Sequence, residues 1–159
     1  DPATLNQPDL KTVPDSIMRR WDVPGMVKRA GWTTADFQAF RASRSNQDLF
    51  LRAFRAAGGR IVAGTDASNQ LLVPGLSLHT ELVLLVNAGL TPSDAIQTAT
   101  HNAAQLLGAD SLGLIAPGKV ADLVILKTNP LADIHNTRTV QRVMVRGQLY
   151  DADSLRAGF

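Results

Sequence analysis

From Asn46 onward, Leu49, Phe50, Ala53, Phe54 and Ala57 fall on one side of a helix, the three-and-four spacing of an amphipathic segment. Gly58-Gly59 ends it. Just upstream, Thr34 is placed to cap a helix carrying Phe37 and Phe40. Apolar rings recurring at helical spacing predict core positions for all four phenylalanines. Residues 60–64, Arg-Ile-Val-Ala-Gly, are a compact β-branched run between a glycine stop and polar turn residues, which predicts a short buried strand.

Residues 77–87 predict a helix with apolar positions 78, 82, 83, 85 and 86 and with Gly89 at its stop. So broad an apolar face implies deep burial. Thr91-Pro92-Ser93-Asp94 then starts another helix: the threonine can accept an amide hydrogen bond, proline suits the first turn, and the aspartate favours the positive helix end. It should run to about Ala99, after which Asn102 is placed to cap a short helix ending at Gly108. Beyond Pro117-Gly118, whose glycine suits a type II turn, the texture becomes β. Residues 120–126 predict a strand, and residues 140–150 a strand, a turn around Gly147-Gln148 and a short return.

Residues 1–34 hold Pro2, Pro8, Pro14 and Pro24 with little periodicity. They predict an irregular connection with one short helix at 15–21, and a loop of that length is often functional. Helix, strand and helix in succession is an α/β pattern, with the last strands forming a separate layer. The sequence holds no internal repeat or low-complexity tract.

Composition narrows the function classes. With 45% hydrophobic and 19% charged residues, the chain has an ordinary globular makeup. Sixteen Lys and Arg against 14 acids leave a formal charge of +2 without a basic block, so neither nucleic acid nor an anionic membrane is an expected partner. The absence of cysteine excludes disulfide scaffolds and thiolate zinc sites in this stretch. The longest apolar run, 82–86, is far short of the roughly 20 residues of a membrane span. The chain starts at Asp1, inside loop-like sequence, so localisation is not read from it.

Four motifs carry a resemblance. They are Ala63-Gly-Thr-Asp-Ala67; Pro74-Gly-Leu-Ser-Leu-His-Thr-Glu-Leu82; Asn87-Ala-Gly-Leu-Thr-Pro-Ser-Asp-Ala-Ile96 with Ala99-Thr-His-Asn-Ala-Ala104; and Gly113-Leu-Ile-Ala-Pro-Gly-Lys-Val-Ala-Asp-Leu-Val-Ile125 with Asn129-Pro-Leu131. In this order and spacing, over residues 56–150, they resemble the amidohydrolase superfamily, most closely its imidazolonepropionase-like and prolidase-like group. Residues 1–55 resemble it only loosely. The resemblance implies an α/β fold: the C-terminal part of a (β/α)8 barrel, strand eight with its flanking helices, over 1–115, followed by part of a composite β-sandwich domain over 116–159. Active sites of such barrels lie at the C-terminal ends of the strands, where Asp66 would stand.

The resemblance also implies a role for Asp66 as ligand to a divalent metal, zinc or a similar ion, and as general base. A metal lowers the pKa of bound water towards about 7, and a positioned carboxylate can take the proton as water attacks an amide carbonyl. The plainer reading, a carboxylate bracing a turn, competes with it. Thr65 and His79 are candidates for contact with substrate or for support of the site. His101, His135, Lys119 and Asp122 read as structural, and Glu81 as a helix or interdomain residue that can reach the pocket. Trp21 and Trp32 are candidates to line a substrate pocket under the long first loop.

The sequence departs from the implied pattern in one respect. The His-x-His pair, the carboxylated Lys or Glu, and the two further histidines of the family's metal site have no match here, and one carboxylate does not hold a catalytic metal. The expectation is a fragment, inactive and prone to associate alone, that completes a site with the N-terminal part of the same barrel. Its substrate would be a small amide, cyclic amide or dipeptide, and a homo-oligomeric parent is compatible with it. The rival reading is a noncatalytic interaction or scaffold domain of the same fold.

Overall fold

The computed structural model describes residues 7–67 and 69–157; Pro2 and the rest of 1–6, part of the expected irregular stretch, lie outside them. A 3-10 helix, Pro8–Thr12, leads into α1 (Asp15–Met18), α2 (Val23–Arg29), α3 (Thr34–Ala56), α4 (Leu76–Asn87), α5 (Pro92–Ala99) and α6 (His101–Leu106). There follow β1 (Leu123–Leu126), a second 3-10 helix (Ile134–Arg138), β2 (Val140–Val145), β3 (Gln148–Asp151) and α7 (Ala152–Arg156). The mixture is an α/β fold. No helix among the described residues is long and apolar enough to cross a membrane.

Local chemistry sets most helix ends. Gly89, at φ +111°, lets the chain turn left-handed after α4, so that the amides of Gly89 and Leu90 return to the carbonyls of Val86 and Leu85. That pairing is a Schellman stop, and it brings Leu90 back beside Leu85. Thr91 then accepts from the Asp94 amide at 3.1 Å and opens α5 as expected. The result is a core of Leu82, Leu85, Leu90, Ala95 and Ile134, with Ile61, Ala63, Val83, Val86 and Ile96 packed against it. Burying each leucine contributes about 1.5–3 kcal/mol.

Several expectations are corrected. The stretch up to 34 is not irregular: besides α1, which stops at Met18 rather than Trp21, it contains α2. Asp22 caps α2 by accepting from the Gly25 amide at 2.9 Å and pairs with Arg29 at 3.0 Å, a turn-by-turn stabilisation too short to leave a period. Instead of two helices there is one, α3, capped by Thr33 and not Thr34, with Asp36 completing a capping box. Ser43 and Ser45 do not break it, because their hydroxyls bond back to the carbonyls of Phe40 and Ala42.

The phenylalanines of α3 are not core residues. Phe40 is 51% exposed and Phe50 66% exposed, and no residue of α3 is buried. The helix meets the core through half-buried Leu51, and arginines tie it down further. Arg44 and Arg52 donate to the carbonyls of Leu84 and Ala88 at 3.2 and 2.9 Å, where the negative end of α4 attracts cations, and Arg55 pairs with Asp94. Trp32, Phe37 and Phe40 pack edge to face with one another on the open side.

Residues 60–64 are not a strand, since no other strand among the described residues pairs with them. The sheet that does form is antiparallel in the order β1-β2-β3, with Val124 opposite Val143 and Val143 opposite Tyr150. Its first strand begins at Leu123 rather than 120. The hairpin turn is Arg146-Gly147, one residue earlier than expected, with φ of 49° and 83°, the two positive values a type I′ turn requires. Asp122 accepts from the Arg146 amide at 2.6 Å and so braces the hairpin, and Lys119 donates to the Asp110 carbonyl, tying together the loop between α6 and β1; both are structural contacts.

Candidate functional site around Asp66

Asp66 sits at the end of the segment that leaves the core at Ala63, and it is exposed. Three non-glycine residues among those described have a left-handed backbone: Asp66 (φ 56°), Leu71 (φ 72°) and Arg146 (φ 49°). The hairpin accounts for Arg146. The other two share one loop, between Ala63 and α4. A left-handed L residue costs roughly 1–2 kcal/mol, and for a leucine no local hydrogen bond offsets it. The same loop buries the Oε1 atom of Gln70 with no donor among the described residues, an arrangement that costs about 1–3 kcal/mol. Strain of this kind collects where a particular loop shape serves a site.

Within the loop, the Asn69 amide N–H bonds to the Asp66 carbonyl at 3.1 Å, and the Asn69 side-chain amide donates to Asp66 Oδ2. Thr65 Oγ1 accepts from the Ala67 amide at 3.2 Å. Asp66 therefore does brace its turn, while its carboxylate stays open to solvent.

His79, in the first turn of α4, is held by Thr137. Thr137 spends its single hydroxyl hydrogen on the Ile134 carbonyl at 2.9 Å, so in its 3.0 Å contact with His79 Nδ1 the ring is the donor. Burial holds the His79 pKa below its ordinary value, the Arg138 guanidinium adds to this, and Asp9 opposes it. A histidine depressed in the folded state contributes stability that is full above its unfolded value of about 6.5 and is lost as pH falls through the folded one. His79→Gln, which keeps a donor for Thr137, should flatten that part of the urea-unfolding free energy plotted against pH; an unchanged slope below about pH 6.5 would count against it.

Arg138 ties the site's surroundings together. It grips both carboxylate oxygens of Asp9 at 2.9 Å and also reaches Thr80 Oγ1 at 3.0 Å. Glu81 lies against the Asp66 segment: burial pushes its carboxyl up, while the backbone N–H of Gly64 and the charge of Arg44 draw it down. Trp21 is half-buried and Trp32 exposed. His101 opens α6, and His135 sits in an exposed 3-10 turn paired with Asp133 at 2.7 Å. One reading fails here: Asn102 does not cap α6, whose N-cap is Thr100. Its side-chain amide instead donates to the Ile61 carbonyl at 2.9 Å.

Among the described residues, no three His, Asp or Glu side chains come together as a metal site would require. Asp66 by itself does not make up such a site.

The profile of the amidohydrolase family matches residues 10–150. The chain belongs to that family. It is 36% identical over 101 residues, 60% of its length, to an imidazolonepropionase of Ruegeria sp. (strain TM1040). It is 38% identical over 69 residues, 43% of its length, to an 8-oxoguanine deaminase of Pseudomonas aeruginosa. Among solved structures it resembles a putative prolidase from Bifidobacterium longum, with a TM-score of 0.66, 31% identity and 78% of this chain covered. The amidohydrolase relatives are longer: the matches span 24% and 15% of the two relatives and 31% of the prolidase chain.

Proposed function

We propose that this chain is the C-terminal part of a metal-dependent amidohydrolase that hydrolyses a carbon–nitrogen bond in a small amide, cyclic amide or dipeptide. Residues 1–115 belong to the (β/α)8 barrel, with 60–64 completing its eighth strand once the neighbouring strands are present and Asp66 just past it, and residues 116–159 to a β-sandwich domain. The observation that carries the reading is the strained loop that presents Asp66, in a segment matched by the family and by hydrolase relatives. In the complete barrel, Asp66 serves as general base, taking the proton of the attacking water and returning it to the leaving nitrogen. It is also one ligand of zinc or a similar divalent ion, whose other ligands come from the N-terminal part of the barrel. This chain alone is inactive.

The test compares the 159-residue chain with the polypeptide encoded by its whole reading frame. After dialysis against a weak chelator, the complete protein should retain zinc and cleave methionyl-proline or a five-membered cyclic amide, and the chain alone should do neither. A reading frame that starts near Asp1, with no zinc and no turnover, would establish instead a noncatalytic domain of the same fold.

A further inference from the structure

The Thr100-His-Asn102-Ala motif has no part in the chemistry above, yet its asparagine makes a contact that its own helix does not need. Asn102 lies inside α6, 41 residues from the carbonyl it bonds. Two residues beyond that carbonyl, the Ala63 amide donates to the carbonyl of Thr98 at 3.1 Å. Thr98 is 2% exposed, and its hydroxyl is fixed on the Ala95 carbonyl at 2.6 Å. The two contacts on 61 and 63 fall on the α5–α6 junction with a two-residue spacing, the period at which an extended chain turns the same edge to a neighbour. Each of the two uses a backbone group that a sister strand does not hold among the described residues. Glu81 meets the Gly64 amide from α4. The backbone leading to Asp66 is therefore pinned by groups of helices that follow it in sequence.

We propose that Asn102, with the Thr98 carbonyl, is a positioning residue that sets how far Asp66 projects into the site. The left-handed turn at Asp66 lies only five residues beyond Ile61, and the segment is held at both Ile61 and Ala63, so a shift at Ile61 moves the turn that carries Asp66. Misplacing a catalytic group by about 1 Å costs on the order of 100-fold in rate. The Asn102 amide thus fixes an axial register that apolar packing of Ile61 and Ala63 leaves free to slide, because hydrophobic contact is non-directional. This inference rests on the reading of Asp66 as general base.

The experiment has two arms. In the 159-residue chain, Asn102→Asp keeps the shape of the side chain but sets a carboxylate against the Ile61 carbonyl. Amide exchange over residues 61–67 should rise about tenfold, while that over 82–90 in α4 and its stop stays protected. In the complete enzyme acting on methionyl-proline, the same substitution should lower kcat per folded molecule by about 10- to 100-fold with KM within about twofold, and Asn102→Gln, which retains the donor, should recover part of the loss. Unchanged kcat per folded molecule with a lower melting temperature would overturn the inference, as would exchange that rises equally everywhere. If Asn102→Asp should not fold, Asn102→Ser read by the same kcat and KM comparison decides. Should Asp66→Asn itself leave turnover intact, the general-base reading fails and this inference with it; loss in Asp66→Asn beside wild-type kcat in Asn102→Asp removes this inference alone.

Discussion

In the complete enzyme, Asp66→Asn is expected to lower kcat by about 10²- to 10⁴-fold, the usual worth of a positioned general base, with little change in melting temperature. The structure makes this substitution selective. Asparagine tolerates the left-handed backbone that Asp66 adopts at φ 56°, and its amide oxygen can still accept from the Asn69 side chain that Asp66 holds. Turn-bracing thus survives while the basic carboxylate is gone, which separates the two roles the residue can have. Turnover equal to wild type would leave Asp66 as a turn residue only. Asp66→Ala is the poorer probe, because it removes the brace as well and leaves the left-handed backbone without the side-chain hydrogen bond that eases it.

The second large effect concerns stability. Leu85 is 5% exposed, belongs to the buried cluster, and supplies the carbonyl that receives the Leu90 amide at the end of α4. Leu85→Ala should cost about 2–5 kcal/mol, a large share of the 5–15 kcal/mol typical of a folded domain. Its neighbour Leu84, 38% exposed, provides the comparison: the same truncation there removes little buried surface. Equal unfolding midpoints in urea for the two variants would show that the α4–α5 cluster is not the core that holds this chain together.

What was legible in the sequence is what adjacent residues decide. The glycine stop after α4, the Thr91 start of α5 and the turn at Pro117-Gly118 depend on chemistry within a few positions, and Gly118 does take a positive φ of 80° with the Lys119 amide returning to Ala116. Amphipathicity in α3 tells which side is apolar but not whether anything covers it, so it does not reveal that Phe40 and Phe50 lie exposed. The 60–64 run had the composition of a strand, but a ladder needs a partner, and partners are non-local. Asn102 looked like a cap because asparagine near a helix start usually is one; nothing local signals a bond to Ile61. The left-handed loop at Asp66 and Leu71 had no signal at all, since neither residue is glycine.

The grip of Arg138 on Asp9 joins positions 129 apart. Drawing together the ends of a flexible chain of that length costs about 4 kcal/mol in closure entropy, whereas an exposed or half-exposed ion pair returns at most about 1 kcal/mol. The pair therefore cannot gather the chain by itself. It adds to contacts that already hold its two halves near, such as Arg138 on Thr80 of α4, and buried Leu10 beside Asp9 supplies the larger share of what keeps the segment down. The N-terminal segment is thus a passenger of the fold, and its amides are expected to lose protection from exchange at lower urea than those of the α4–α5 core.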